Sequence, residues 1–242
     1  MPEQREIVEQ SMAGFSVVVP FYNEGELVAE VLRELREQLP GAEIVAVDDG
    51  STDDTWAGII GATGVRGLRF TANQGQSAAI YHGLQATTQP IVGIMDGDGQ
   101  NDPASFHLIL AEFRKGNADV VCGYRKKRND TWSRRVASRI ANAIRRFFLE
   151  DGVRDTGCSQ KVFRREAVDL LVPFRGMHRY LPAVFKHAGL RFTEVPVNHR
   201  PRLGGRSKYD NWTRAVHGLY DLVGVGWLLN RKIIPPKIET KP

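Results

Sequence analysis

The run FSVVVP at residues 15–20 is apolar and β-branched without alternation, which predicts a strand buried on both faces. The period then changes. Leu27, Val31, Leu35 and Leu39 recur every fourth residue with Val28 and Leu32 beside them, so a helix with one apolar face follows. Asn23 and Glu26 have the spacing of a capping box, and Pro40-Gly41 closes the helix. EIVAV (43–47) is a second strand, running into DDGSTDDT with a helix starting near Asp53. GLRF (67–70), PIVGIM (90–95) and ADVVCG (118–123) read as further strands. NQGQSAAIYHGLQATT (73–88) reads as a loop entering a helix, and PASFHLILAEFRKG (103–116) as a helix. Strands that are apolar throughout and alternate with helices predict an α/β class: a mainly parallel, Rossmann-like sheet covered by helices on both faces. The polar motifs all follow strands, at the carboxyl edge where ligands bind such sheets.

Beyond residue 125 the pattern is different. TWSRRVASRIANAIRRFF (131–148) predicts a basic amphipathic helix, with Trp132, Val136, Ile140, Ala143 and Phe147 on one side. Arg134 and Arg145 lie on the other, and Arg135, Arg139 and Arg146 flank the apolar stripe. Such a helix packs on the sheet with a solvated face or lies at a membrane interface; the stretch alone favours the former. The segment 211–242 is apolar from Val216 to Leu229 but interrupted by Asp221, Gly224 and Gly226, too short and too broken for an unaided span. Trp212, Tyr220 and Trp227 suit an interface, so this interfacial helical tail is expected to meet a membrane surface, a protein partner or a second copy of the chain as a homo-oligomer. The expected organisation is a tail at 1–14, one domain over 15–210 and an apolar segment over 211–242.

The composition, 242 residues at 42% hydrophobic and 25% charged, is that of a globular protein. The net charge of +5 is unevenly distributed: the first hundred residues are acidic, whereas Arg125, Lys126, Lys127, Arg128, Arg134, Arg135, Arg139, Arg145 and Arg146 crowd one stretch. That asymmetry points to an anionic partner. No helix-turn-helix, RRM or zinc-finger pattern accompanies it, so nucleic acid is not the expected one. Cys122 and Cys158 form no CxxC and are expected to be small core residues in a reducing cytoplasm. The charged N-terminus has no h-region of a signal peptide. A dinucleotide-binding GxGxxG is absent.

The apolar run 91–95 stops at Asp96 and Asp98, with Gln100 two residues on. A calcium loop beginning at Asp96 needs Gly at its sixth position and Glu at its twelfth, and the chain has Asn101 and His107 there. A solvated turn remains open, since Asp and Gly are common turn residues, but such a turn does not need two carboxylates after a buried strand. A hard divalent cation shared with substrate phosphates does.

Taken in order, VVVPFYNE, AVDDGSTDDT, NQGQSAA, MDGDGQNDP and DTGCSQKVFRRE resemble the family 2 inverting glycosyltransferases. YRKKRNDTWSRRVASRIAN and EVPVNHRPRLGGRSKY narrow the resemblance to the branch acting on polyprenyl phosphates, similar to dolichyl-phosphate mannosyltransferases and undecaprenyl-phosphate sugar transferases. It covers roughly residues 15 to 225. It implies the GT-A fold and transfer, with inversion, from a GDP- or UDP-linked sugar to a lipid phosphate; a soluble glycan or protein acceptor is the alternative. It further implies that Pro20, Tyr22 and Glu24 line the base and ribose, and that Val47 and Asp49 contact the base with Asp48 nearby. Asp96 and Gly97 would face the donor, while Asp98 and Gln100 would ligate Mg2+ or Mn2+. Arg125 and Arg139 would grip the acceptor phosphate, and Arg202 and Lys208 would neutralise phosphates from a loop freed by Gly204-Gly205. Asp155 would be a positioning residue or a base. Lys161 stands where relatives often carry Arg, and Lys cannot make the bidentate fork. The implied location is the cytoplasmic face of a membrane, held peripherally.

Overall fold

The computed structural model describes residues 12–125, 145, 148–149, 152–201 and 211–231, with side chains from 220 onward in the last segment. In chain order the elements are β1 (Phe15–Phe21), α1 (Val28–Gln38), β2 (Glu43–Asp48), α2 (Thr55–Gly61), β3 (Val65–Arg69), α3 (Gln76–Ala86), β4 (Ile91–Ile94), α4 (Ser105–Arg114) and β5 (Val120–Arg125). After these come β6 (Lys161–Arg164), two 3₁₀ segments (Arg165–Leu170 and Met177–Arg179), α5 (Leu181–His187), β7 (Phe192–Val197) and α6 (Asn211–Arg231).

The seven strands form one sheet in the order β3-β2-β1-β4-β6-β5-β7. All neighbouring pairs are parallel except those of β6, which is antiparallel to both β4 and β5. Every residue of β1 is buried, as its unbroken apolar run predicts. The pleat sends alternate side chains to opposite faces. Phe15, Val17, Val19 and Phe21 join Val28, Leu32 and Leu35 of α1 and Phe106, Ile109 and Leu110 of α4. Val18 points the other way, into a second cluster with Val45 and Val47 of β2, Ile80 and Leu84 of α3, and Phe163 and Phe185. Both faces of the sheet are therefore covered. Cys122 and Cys158 are free and buried within these clusters, and burial pushes the Cys122 thiol up to about 12.

Three features depart from the sequence pattern. The capping box does not form: α1 begins at Val28 without a side-chain cap, and the Glu24 carbonyl accepts from Leu27 and Val28 N–H. Asn23 has φ of 51°, a left-handed turn that Asn tolerates, and its Oδ1 accepts from Thr52 N at 2.9 Å. The turn after β1 thus uses Asn23 to tie two loops together instead of starting its own helix. Second, β6 and β7 carry no clear period. β6 has only four residues, and one is Lys161, 2% exposed, so no apolar run marks it. Third, Met12 lies in the core, so the last residues before β1 anchor to the domain. Most of the expected basic helix 131–148 lies outside the described residues.

No helix among the described residues is long and apolar enough to cross a membrane. α6 turns Leu222, Val225 and Leu229 into the second cluster and leaves Tyr220, Val223 and Trp227 exposed on its outer side.

α3 lies so close to the sheet that a Cβ on Gly83 would come within 2.4 Å of Val18 Cγ1 and 3.0 Å of Val47 Cγ2. Alanine is the better helix former by about 1 kcal/mol, but overpacking against two stiff valines outweighs that gain. Gly83→Ala is therefore expected to destabilise the fold by about 1–3 kcal/mol, read as a lower urea midpoint at unchanged slope.

Candidate active site

The carboxyl ends of β1, β2 and β4 lie side by side, and each delivers polar residues to one edge. Phe21 O accepts from Asp49 N at 2.9 Å, locking the ends of β1 and β2 together. Pro20 is buried, and Tyr22 and Glu24 are half-buried at this edge. Glu24 N donates to Thr55 Oγ1 and Gly25 N to Asp53 Oδ2, both at 2.9 Å, so the acidic segment after β2 holds the turn after β1.

Asp48 and Asp49 are both engaged within the protein, although Asp48 Oδ2 has only an ion-pair neighbour and no hydrogen bond among the described residues. Asp48 Oδ1 accepts from Ser51 N at 2.9 Å, and Arg69 Nε lies 3.1 Å from Oδ2. Asp49 accepts from Asn73 Nδ2 at 2.8 Å, Gln74 N at 2.8 Å and Gly75 N at 2.9 Å. Burial raises its pKa first and the Asp48 charge adds to that, while the three donors pull the other way. The Asp49 carboxylate holds the loop into α3, and the Val47 side chain is fully buried in the second cluster.

That loop has a purpose at its far end. Gly75, at φ of 93°, opens α3, and Gln76 in the first turn donates from Nε2 to Asp96 Oδ1 at 2.6 Å. The backbone N–H of Asp96 donates to Ser159 Oγ at 3.0 Å. Burial and then the neighbouring Asp98 raise Asp96 to about 6, against the lowering effect of Lys161, Ser159 and Arg125. Gly97 packs where a Cβ would meet the Phe21 ring at 2.5 Å and Pro20 O at 2.8 Å, so only glycine lets this loop cross the end of β1. Asp98 Oδ1 accepts from Gln100 N at 3.2 Å, folding the two expected ligands into one turn.

The segment after β7 braces the same loop. Arg200 N donates to Gln100 O at 2.8 Å, and Asn101 and His199 form an antiparallel bridge. The Arg200 guanidinium reaches Asp102 Oδ1 at 3.0 Å and Glu34 Oε1 at 2.7 Å. Among the described residues no three His, Cys, Asp or Glu side chains form a metal-binding group. Asp98 and Gln100 nevertheless supply hard oxygen donors in one turn, and a Mg2+ or Mn2+ ion ordinarily fills its remaining positions with substrate phosphates and water. The donor set fits such an ion.

Arg125, the last residue of β5, faces Asp155 in a fork: Nε to Oδ2 at 2.7 Å and Nη2 to Oδ1 at 2.8 Å. Lys161 is buried at the start of β6, where its ammonium donates to Cys158 O. Arg139, Arg202 and Lys208 lie outside the described residues. Gln76, Ser159 and Arg200 were missed by sequence reasoning. Gln76 had a signal, a polar residue in the first helical turn after a glycine loop; Ser159 and Arg200 reach the site only through strand pairing.

A family model described as "Glycosyl transferase family 2" matches residues 16–171. An undecaprenyl-phosphate 4-deoxy-4-formamido-L-arabinose transferase of Sodalis glossinidius is 35% identical over 217 residues, which is 86% of this chain and 66% of that protein. Its counterpart from an Enterobacter strain is 33% identical over the same shares. The chain thus spans about two thirds of the length of these relatives. Among solved structures, glucosyl-3-phosphoglycerate synthase from Mycobacterium tuberculosis bound to Mn2+, UDP and glucosyl-3-phosphoglycerate superposes with a TM-score of 0.69 at 21% identity, over 91% of this chain and 81% of that one. A complex of the same enzyme with Mg2+ and UDP gives 0.70 at 22% identity, over 90% and 83%. These likenesses place the sheet and its helices in the GT-A fold.

One prediction concerns the turn that packs on the first turn of α3. Ser77 Oγ lies 2.8 Å from His178 Nδ1 and accepts from Gly176 N at 3.0 Å. Burial, then the charges of Arg179 and Lys161, lower His178 to about 3. Its unfolded pKa is about 6.5, so below that pH the unfolded chain binds a proton that the folded one refuses. Stability is therefore expected to fall from pH 6.5 toward pH 3, by up to about 1.4 kcal/mol per unit from this residue. Urea titrations across that range should show a flatter acid limb for His178→Gln than for wild type.

Proposed function

Because this chain belongs to glycosyl transferase family 2, we propose that it moves a sugar from a GDP- or UDP-linked donor to a polyprenyl phosphate, inverting the anomeric centre. The observation that carries the proposal is the meeting of two opposite charges at one sheet edge. The carboxylate loop Asp96–Gln100, of the kind that binds a cation, is tied through Asp96 N to Ser159 Oγ, four residues beyond the Asp155 that pairs with the Arg125 guanidinium. The relatives named for undecaprenyl-phosphate transfer support the lipid acceptor.

A lipid phosphate monoester is already anionic near neutral pH, so its attack on the anomeric carbon needs no strong base. The difficulty is electrostatic, since an anionic nucleophile approaches a donor that carries a diphosphate. Cations placed around both phosphates offset that repulsion and stabilise the departing nucleoside diphosphate. Asp98 and Gln100 would hold Mg2+ or Mn2+, which when bound supplies Lewis-acid stabilisation to the leaving group. Asp96 would orient the donor, held by Gln76 and Ser159. Gly97 would let the donor approach the backbone, and Pro20, Tyr22 and Glu24 would border the nucleoside. Arg125 and Arg139 would take the acceptor phosphate, and Arg202 and Lys208 would close on the phosphates.

The lipid acceptor also sets where the enzyme works: peripherally on the cytoplasmic face of a membrane. Tyr220, Val223 and Trp227 form one exposed stripe of α6, with Arg231 in its last turn, a pattern suited to the headgroup boundary. Replacing Tyr220 and Trp227 by Ser is expected to weaken co-sedimentation with anionic vesicles and to leave the melting temperature unchanged.

The activity test uses labelled nucleotide sugars, undecaprenyl phosphate in detergent and Mn2+ or Mg2+. Label should enter the organic phase, and EDTA should prevent it. Asp98→Ala should lower turnover by roughly 10²–10³-fold, the usual scale for losing stabilisation of a developing charge. Label that reaches only water-soluble glycan or protein would overturn the lipid acceptor.

A further inference from the structure

We infer that Asp155 is a positioning residue that clamps Arg125 for the acceptor phosphate, and is not the base of the transfer. The inference rests on the reading above that the acceptor is a phosphate monoester.

The carboxylate of Asp155 has two oxygens with about four lone-pair directions. Oδ2 accepts from Arg125 Nε at 2.7 Å and from the Arg125 backbone N at 3.1 Å. Oδ1 accepts from Arg125 Nη2 at 2.8 Å and from Gly157 N at 3.1 Å. Four N–H groups thus converge on one carboxylate whose side chain is only 7% exposed. A base must offer a lone pair to the proton it removes, and in this arrangement each is directed at a donor. A phosphate monoester, moreover, brings no proton whose removal the reaction needs.

The guanidinium gains what the carboxylate gives up. Arg125 is the final residue of β5, at the sheet edge that carries the acidic loop, and its side chain is 17% exposed. The fork engages the Nε–Nη2 edge. Because the group is planar, the Nη1 amine and the outer Nη2 hydrogen are directed away from Asp155. An arginine on a flexible stem would lose rotamer freedom on binding phosphate, whereas a clamped one has lost it already. Asp155 cancels part of the cation's charge, so the device trades long-range attraction for a fixed direction.

Gly157 belongs to the same device. A Cβ there would lie 2.4 Å from Arg125 Nη2 and 3.4 Å from Asp155 Oδ1. Any larger residue pushes the guanidinium out of the fork. Neither residue falls on an apolar period, and their partnership depends on the chain returning from 152–158 into antiparallel β6 beside β5.

The test is a steady-state comparison of the full chain with Asp155→Asn, Gly157→Ala and Arg125→Lys, using undecaprenyl phosphate and the active donor. Each variant is expected to raise the acceptor KM by about tenfold or more, with donor KM little changed and the pH profile of kcat keeping its limbs. Asp155→Asn added to Arg125→Lys should cost less than about twofold beyond Arg125→Lys alone, because both act on one contact. A loss of about 10²–10⁴-fold in kcat for Asp155→Asn, with acceptor KM unchanged and one limb of the profile gone, would make Asp155 a base and overturn the inference. Gly157→Ala retains both charged groups and carries the test if Asp155→Asn does not fold. A second readout does not depend on turnover: the Arg125 Nε–H resonance should be protected from solvent exchange in wild type and exposed in Asp155→Asn and Gly157→Ala. Protection without any lipid-linked product would leave the clamp standing and reject the proposed reaction. An unprotected Nε–H in wild type would reject the clamp whatever the activity.

Discussion

The Asp49 carboxylate holds together the edge on which the site is built. A parallel sheet gathers its strand ends on one side, and this chain places acidic residues after β2 and after β4 on that same side. Carboxylates so close repel one another and lose hydration. Asp49 resolves this by accepting from Asn73, Gln74 and Gly75, which fixes the entry to α3. The first turn of α3 then delivers Gln76 to Asp96. The buried Asp49 carboxylate after β2 therefore sets the orientation of Asp96 after β4 through the first turn of α3. The close approach of α3 at Gly83 keeps this brace rigid, since the helix cannot slide without moving Val18 and Val47.

The second half of the edge is made differently. β6 runs antiparallel between β4 and β5, and its entry segment carries Asp155, Gly157 and Ser159 alongside the Asp96 loop and the end of β5. A parallel strand in that place would have put its amino end at the opposite edge. The reversal is what lets one short segment supply both a donor to the Asp96 backbone and the partner of Arg125. The strand after it, β7, returns parallel to β5 and sends Arg200 back to Gln100 and Asp102. The acidic loop is thus held from α3, from the β6 entry and from beyond β7, which suits the role proposed for it in holding a cation and the donor.

Much of this was legible along the chain. The unbroken apolar runs at 15–20, 43–47 and 90–95 and the four-residue spacing of α1 predicted the elements because burial on one or two faces writes itself into the period. The acidic turn after β4 was legible because two carboxylates closing an apolar strand stand out, and the ordered motifs around them set that turn apart from an ordinary solvated one. The capping box was misread for a local reason: Asn23 can serve a left-handed turn as well as a helix start, and the loop at 51–55 supplied better partners. The bracing of α3 by Asp49 was not legible, because a motif shows which residues accompany a site and not which way each side chain points.

By itself the sequence determined the class of fold, the parallel half of the sheet, the position of the acidic loop at its carboxyl edge and the residue types that suit a cation and phosphates. Those properties follow from local periodicity and from hydrophobic burial, which act over a few residues. Only the tertiary structure decided the antiparallel insertion of β6, the burial of Lys161, the brace from Asp49 to Asp96 and the pairing of Arg125 with Asp155. These depend on strand register and on hydrogen bonds between residues 20 to 63 positions apart. No local pattern encodes such distances; they are fixed only when the sheet closes and each buried polar group must find a partner.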